Sequence, residues 1–195
     1  LWGIELRRRT IFLASLASLL IISYLIYFTN SSKIAFIHGD YALDVTQKNE
    51  VVGNSENVFL AKVIRKTGTA SSYKGEEPYT QFEVEVIRNI KGKLVGTETV
   101  NQAMGYDYGL GGKTLVKYED QEYLQPGKTY LFSTIHSSRF DWHTPIPVYG
   151  ELEVNEVNED RMIAEYTMAL QEQIISDIMQ RDKNKDFIIG YMEEQ

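Results

Sequence analysis

Residues 10–28 read TIFLASLASLLIISYLIYF, nineteen positions without a charge, directly after Arg7, Arg8 and Arg9. At about 1.5 Å of rise per residue, such a run spans the hydrocarbon thickness of a bilayer as a helix. It is apolar on every side, which a helix docked on a water-soluble core would not be. Tyr24, Tyr27 and Phe28 gather at its far end, where an interfacial aromatic belt would lie. Three arginines before the run and only Lys33 shortly after it set the direction: residues 1–9 stay cytoplasmic, 10–28 cross, and the rest faces outside. A cleaved secretory signal shares the basic start, but its apolar core is shorter, about 7–15 residues. A small-x-small site stands at Thr29-Asn30-Ser31, so the anchored and the cleaved readings both remain open. A lipid-modified cysteine is excluded, because the chain has no cysteine.

Beyond the apolar run the chain is acidic. Of 20 Lys and Arg and 27 Asp and Glu, three and one respectively fall in the first 32 residues, so the remainder is acidic by nine charges. That balance argues against nucleic acid, which attracts a basic face, and against adhesion to anionic lipid headgroups. An exported domain without disulfides must rely on its core, a habit that points to a bacterial cell surface, Gram-positive in particular.

Residues 29–50 read as a polar stem, and 51–195 as one extracytoplasmic domain. Strands are expected over 58–64, 80–90, 98–103, 114–118, 129–135 and 148–154. The clearest is 80–90, where Phe82, Val84 and Val86 alternate with Gln81, Glu83 and Glu85. Lys91-Gly92-Lys93 and Gln125-Pro126-Gly127-Lys128 read as turns, the second with glycine supplying a positive φ. Met104 to Gly112 and Phe140 to Pro147 read as loops. From Asp160 to Asp182 the period changes: Ile163, Tyr166, Leu170, Ile174 and Ile178 fall on one helical face, with Asn158 or Asp160 as cap.

Familiar chemical motifs are incomplete. Gly112-Lys113-Thr114 ends like a phosphate loop, but Asp107 stands where the first glycine belongs and a strand follows in place of a helix. Asp182, Asn184, Asp186 and Glu193 have the spacing of a calcium loop, yet Phe187 occupies the position that needs glycine, and a solvated helix end is the competing reading. His38, His136 and His143 show no metal-ligand spacing, and nothing calls for a cofactor. Asp141 and His143 lie near Ser133, Ser137 and Ser138, which keeps an anchored hydrolase as a rival reading. The amphipathic helix keeps a third, a structural subunit of a membrane complex. The best ligand candidates are the aromatic segments with Tyr106 and Tyr108, and with Phe140, Trp142 and His143. Their flat apolar faces with polar rims suit a glycan or an extracellular protein.

The succession of Phe59-Leu60-Ala61-Lys62-Val63, Gln81 to Ile87, Asn89-Ile90-Lys91-Gly92 and Leu124-Gln125-Pro126-Gly127-Lys128-Thr129-Tyr130-Leu131-Phe132, then a helix, resembles small bacterial extracytoplasmic domains of the tissue-inhibitor-of-metalloproteinases (netrin-like) type. The resemblance covers about residues 50–155. It implies a mainly β fold: an OB-like barrel of five to six strands with a C-terminal helix, a shape used mainly for binding. Protease inhibition does not carry over, since the animal inhibitors chelate zinc through an N-terminal cysteine that this chain lacks. The expectation is therefore a single-pass, membrane-anchored binding or accessory module without catalytic activity.

Overall fold

The computed structural model describes residues 13–24, 32–37, 44–70, 78–109, 112–147 and 149–176. Residues 13–24 form α1, with every side chain exposed. It covers twelve of the nineteen positions of the apolar run; residues 10–12 and 25–28 lie outside the described residues. Among the described residues no helix is long and apolar enough to cross a membrane. The calcium-loop spacing at 182–193 and His38 also lie outside them.

The rest is mainly β. In chain order come β1 (Ser32–Ile37), α2 (Lys48–Gly53), β2 (Asn57–Ala70), β3 (Tyr79–Lys91) and β4 (Thr97–Gln102). Next are β5 (Gly105–Gly109), β6 (Gly112–Tyr118), β7 (Thr129–Ser137), β8 (Trp142–Pro145), β9 (Glu151–Val154) and α3 (Glu159–Gln171). Six strands form one sheet in the order β2-β3-β4-β8-β7-β9, and a further pairing of β2 with β7 closes it on itself. All pairs within it are antiparallel except β4 with β8, which runs parallel through Val100 and His143. Repeated register shifts between β2 and β3 bend those long strands around the ring.

The core explains why β2 does not alternate. Phe59, Ala61 and Val63 point into the ring with Phe82, Val84, Val100, Tyr130 and Phe132. Val58 and Leu60 point out, with Leu131 and Val154, against Met162, Ile163, Tyr166 and Ala169 of α3. A strand buried on both faces reads as a continuous apolar run. Strand β3, with Phe82 and Val84 inward and its other face wetter, keeps the alternation.

Several segments differ from expectation. The stretch expected as a stem holds β1 and the first half of α2, whose second half carries the fully buried Val51 and Val52. The Gly- and Tyr-rich segment is strand β5, and the aromatic segment is a four-residue turn followed by β8. Helix α3 stops at Gln171, well before Asp182. Its N-cap is Asn158, but the Asn158 side chain makes no capping bond to the helix. The cause of the early stop is tertiary: the Ile174 N–H donates to Asn49 O at 3.0 Å, drawing residues 173–176 along α2. Ile174 and Ile175, expected on the buried face, are nearly half exposed.

The turn expected at Gln125–Lys128 formed, whereas at 91–93 strand β3 runs through Lys91 and the chain bends at Gly92. Lys128 N–H donates to Gln125 O at 3.2 Å, and Gly127 has φ +87°. A Cβ there would meet nothing within 4 Å, so only backbone conformation opposes a substitution. Gly127→Ala should cost about 1 kcal/mol and lower Tm by about 2–4 °C in a thermal melt.

Candidate functional site

The candidate residues fall into two groups on different sheets. Phe140, Trp142 and His143 sit on the β7–β8 hairpin, whose turn is Ser138-Arg139-Phe140-Asp141. Asp141 closes it with φ 55°, a conformation Asp tolerates better than most residues, and its N–H donates to Ser137 O at 2.8 Å. Phe140 stacks on Trp142 with centroids 4.5 Å apart and planes 12° from parallel. The Arg139 guanidinium lies 5.0 Å from the Phe140 ring centre. Trp142 is therefore covered by Phe140, and the surface offered to a ligand is Arg139, the outer face of Phe140 and the Asp141 carboxylate, 94 % exposed.

His143 points the other way, into the ring. It is 2 % exposed, edge-on to Phe59, with Nδ1 3.4 Å from Thr134 Oγ1. Its Nε2 lies 3.6 Å from Glu98 Oε2, longer than a hydrogen bond. Burial, aided by the neighbouring His136, pushes its pKa down to about 4, against a smaller opposing pull from Asp141. The imidazole is thus neutral at pH 7. Glu98 is pushed upward by burial and by Asp141, with His136 opposing.

Asp141 pairs with His136 and not with His143: Oδ1 and Nε2 are 3.2 Å apart. The Ser133 and Ser137 hydroxyls are buried and have no hydrogen-bond partner among the described residues. Asp141, His143 and either of these two serines are therefore not joined by hydrogen bonds among the described residues. Sequence reasoning passed over His136 and Glu98. His136 and His143 are direct cross-strand partners, equidistant from the centre of the turn, with ring centroids 4.8 Å apart. That symmetry was the available signal. Among the described residues no group of three or more His, Asp or Glu is arranged to hold a metal ion.

Tyr106 and Tyr108 lie on β5, in a separate three-stranded sheet of order β1-β6-β5. Gly112-Lys113-Thr114 opens β6 in the same sheet. The Lys113 ammonium sits 3.7 Å over the Tyr106 ring, and Tyr108 is 74 % exposed.

A buried polar cluster joins the two sheets. Gln102, fully buried at the end of β4, donates from Nε2 to Glu151 Oε1 at 2.6 Å and to Glu122 O at 2.9 Å. Gln121 Nε2 donates to the same Glu151 oxygen at 2.9 Å, while Oε2 is sealed from solvent with no partner among the described residues. Burial pushes the Glu151 carboxyl up to about 7, although the two amide bonds pull it back. Lys117 Nζ donates to Gln121 O and Glu122 Oε1, tying β6 to the same segment. Nothing in the local sequence marks Glu151, which reads as one acid among many.

In comparisons with known proteins, no family model matches this chain and no curated protein is similar enough to be matched.

Proposed function

We propose that this chain is a membrane-anchored extracytoplasmic binding module, built on an OB-like barrel of netrin type and without chemistry of its own. The reading is supported by one observation above others. Taken in chain order, the ring strands are β2, β3, β4, β7 and β8, and their spatial order 1-2-3-5-4 returns to the first, with third and fifth parallel. That is the arrangement of OB barrels, in which the loop between the fourth and fifth strands is one of the ligand-bearing loops. Here that loop is Ser138–Asp141, which offers a guanidinium, an aromatic face and a carboxylate side by side. Such a set suits a glycan or a polar peptide, with stacking on Phe140 and hydrogen bonds at its rim.

The test uses the full chain in lipid nanodiscs, titrated with isolated cell-wall glycan strands and, separately, with the extracellular protein fraction. Binding should weaken about tenfold or more in Arg139→Ala and Phe140→Ala, the range expected of a hot-spot residue. Because Phe140 also covers Trp142, Arg139→Glu, on an exposed side chain, supplies the control against misfolding. Binding indifferent to all three substitutions would overturn the assignment of the turn. Turnover of either fraction, abolished by one substitution in the extracytoplasmic domain, would overturn the non-catalytic reading.

A further inference from the structure

Among the described residues, one face of the three-stranded sheet is covered at its Lys117 end, where Gln121 and Glu122 hold the Lys117 ammonium, and leaves Ile34, Phe36 and Tyr108 exposed. Cross-strand register sets its composition. Ile34 pairs with Leu115 and Leu115 with Tyr106; Phe36 pairs with Lys117; Lys113 pairs with Tyr108. Side chains directly opposite each other share a face. One face therefore carries Ile34, Phe36, Leu115, Tyr106, Tyr108, Lys113 and Lys117. The other carries Lys33, Thr114 and Asp107, then Val116 and Tyr118. Ile34 is 57 % and Phe36 47 % exposed, large apolar side chains adjacent on an edge strand.

We propose that this face docks on the outer leaflet of the membrane that holds the chain. The inference rests on the anchor reading of residues 10–28 and deepens it. Tether length is the first argument. Only four steps of chain separate Phe28, the end of the apolar run, from Ser32, the start of β1. Fully extended, they reach about 14 Å. A sheet begun that close to the bilayer surface has the headgroup layer within reach. Chemistry is the second argument. Two tyrosines on one edge strand, an isoleucine and a phenylalanine on the other and a lysine lying over an aromatic ring are side chains of the kind that membrane interfaces gather. Charge is the third. The domain is acidic by nine charges, yet none of the strand residues on this face is an acid: the one acid of the three strands, Asp107, lies on the reverse, and Glu122 at the edge of the face is paired with Lys117. Insertion of apolar and aromatic groups, and not attraction to anionic lipid, drives the contact.

The absence of cysteine makes the test direct. Single cysteines replacing Tyr108, Ile34, Asp107 and Val157 in the full chain carry a spin label, and the protein is reconstituted into phosphatidylcholine vesicles. Collisional relaxation is read with oxygen, which enters lipid, and with a nickel chelate, which stays in water. Labels at 34 and 108 should be oxygen-rich and nickel-poor, while those at 107 and 157 should show the reverse. Water-like values at 34 and 108 in protein that still floats with the vesicles would overturn docking and leave the anchor standing. Protein that fails to float would remove the anchor and docking together. Spin–spin broadening at 34 and 108 that grows with the protein-to-lipid ratio would assign the face to a second copy of the chain and overturn the lipid contact.

Discussion

Glu151→Gln is expected to stabilise the protein by about 3 kcal/mol more at pH 8 than at pH 4, as read from urea unfolding of variant and parent at each pH. The folded carboxyl holds its proton up to about pH 7, whereas in the unfolded chain it ionises near 4.5. Between those values the folded state binds more protons, so the parent loses stability as pH rises, by about 1.4 kcal/mol per unit. Glutamine mimics the neutral acid and removes that loss. His143 works in the opposite sense. Its folded pKa of about 4 lies below the ordinary 6.5, so the unfolded state binds more protons between them and stability falls as pH falls. From about pH 4.5 to 6.5 the two slopes oppose each other, and each variant unmasks the other group. Glu151→Gln should climb with pH across that window, and His143→Gln should descend, whatever constant packing cost it carries. The double variant should lose both slopes. Parallel profiles for Glu151→Gln and the parent would mean that the carboxyl ionises in the fold as it does in water.

Gly53→Ala should cost about 2–4 kcal/mol and release residues 173–176, although it adds one methyl group. Gly53 is fully buried at the end of α2, and a Cβ built there comes 2.0 Å from Ile174 O and 2.5 Å from Ile174 C. Both are backbone atoms, so no side-chain rotation relieves the overlap. The strap must lift, and its bonds go with it. These are Ile174 N–H to Asn49 O, Asn54 Nδ2 to Ile174 O at 3.3 Å, and Ser176 N–H and Oγ to Asn54 Oδ1 at 3.0 and 2.7 Å. The expected reading is accelerated hydrogen exchange at the Ile174 and Ser176 amides, with the β7 amides still protected. Asn54→Ala removes several of the same bonds without the overlap and should fall short of it, at about 1–3 kcal/mol. Equal exchange at Ile174 in the parent and in Gly53→Ala would show that the strap is not held there.

The sequence made some of the fold legible and hid the rest for identifiable reasons. The alternation of Phe82, Val84 and Val86 marked β3, because one face of that strand stays wet. Pro126-Gly127 marked its turn, because only glycine reaches that φ cheaply. In sequence β5 and β8 look like loops, because glycine, tyrosine and proline at their ends imitate turn composition. Their strand character comes from pairing that composition does not reveal: β5 with the strand that follows it, Asp107 opposite Thr114, and β8 with Val100, forty-three residues before His143. The length of α3 was overestimated because helical spacing continues through Ile174, while the Asn49 carbonyl and the Asn54 amide, more than a hundred residues away in the chain, capture that backbone. Of the candidate site, the aromatics were visible but their roles were not. Nothing in the residue types says that Phe140 covers Trp142, or that His143 faces inward and His136 takes the aspartate. Those facts depend on a four-residue turn closed by Asp141 in place of the usual glycine.

Strand β7 pairs with β2 along one edge and with β9 and then β8 along the other, an arrangement that bears on biogenesis. A chain delivered from its N-terminus presents the β2–β3 hairpin long before residues 129–137 arrive to cover the second edge of β2. Until then the backbone of Asn57–Lys62, the stretch that β7 will cover, is an open template for strand addition, flanked by Val58, Phe59 and Leu60. Closure also joins segments about seventy residues apart, a contact order that slows folding. The vulnerable interval is therefore the time between emergence of β2 and emergence of β7, and quality-control factors on the side where the domain folds would find their target in that unfinished edge.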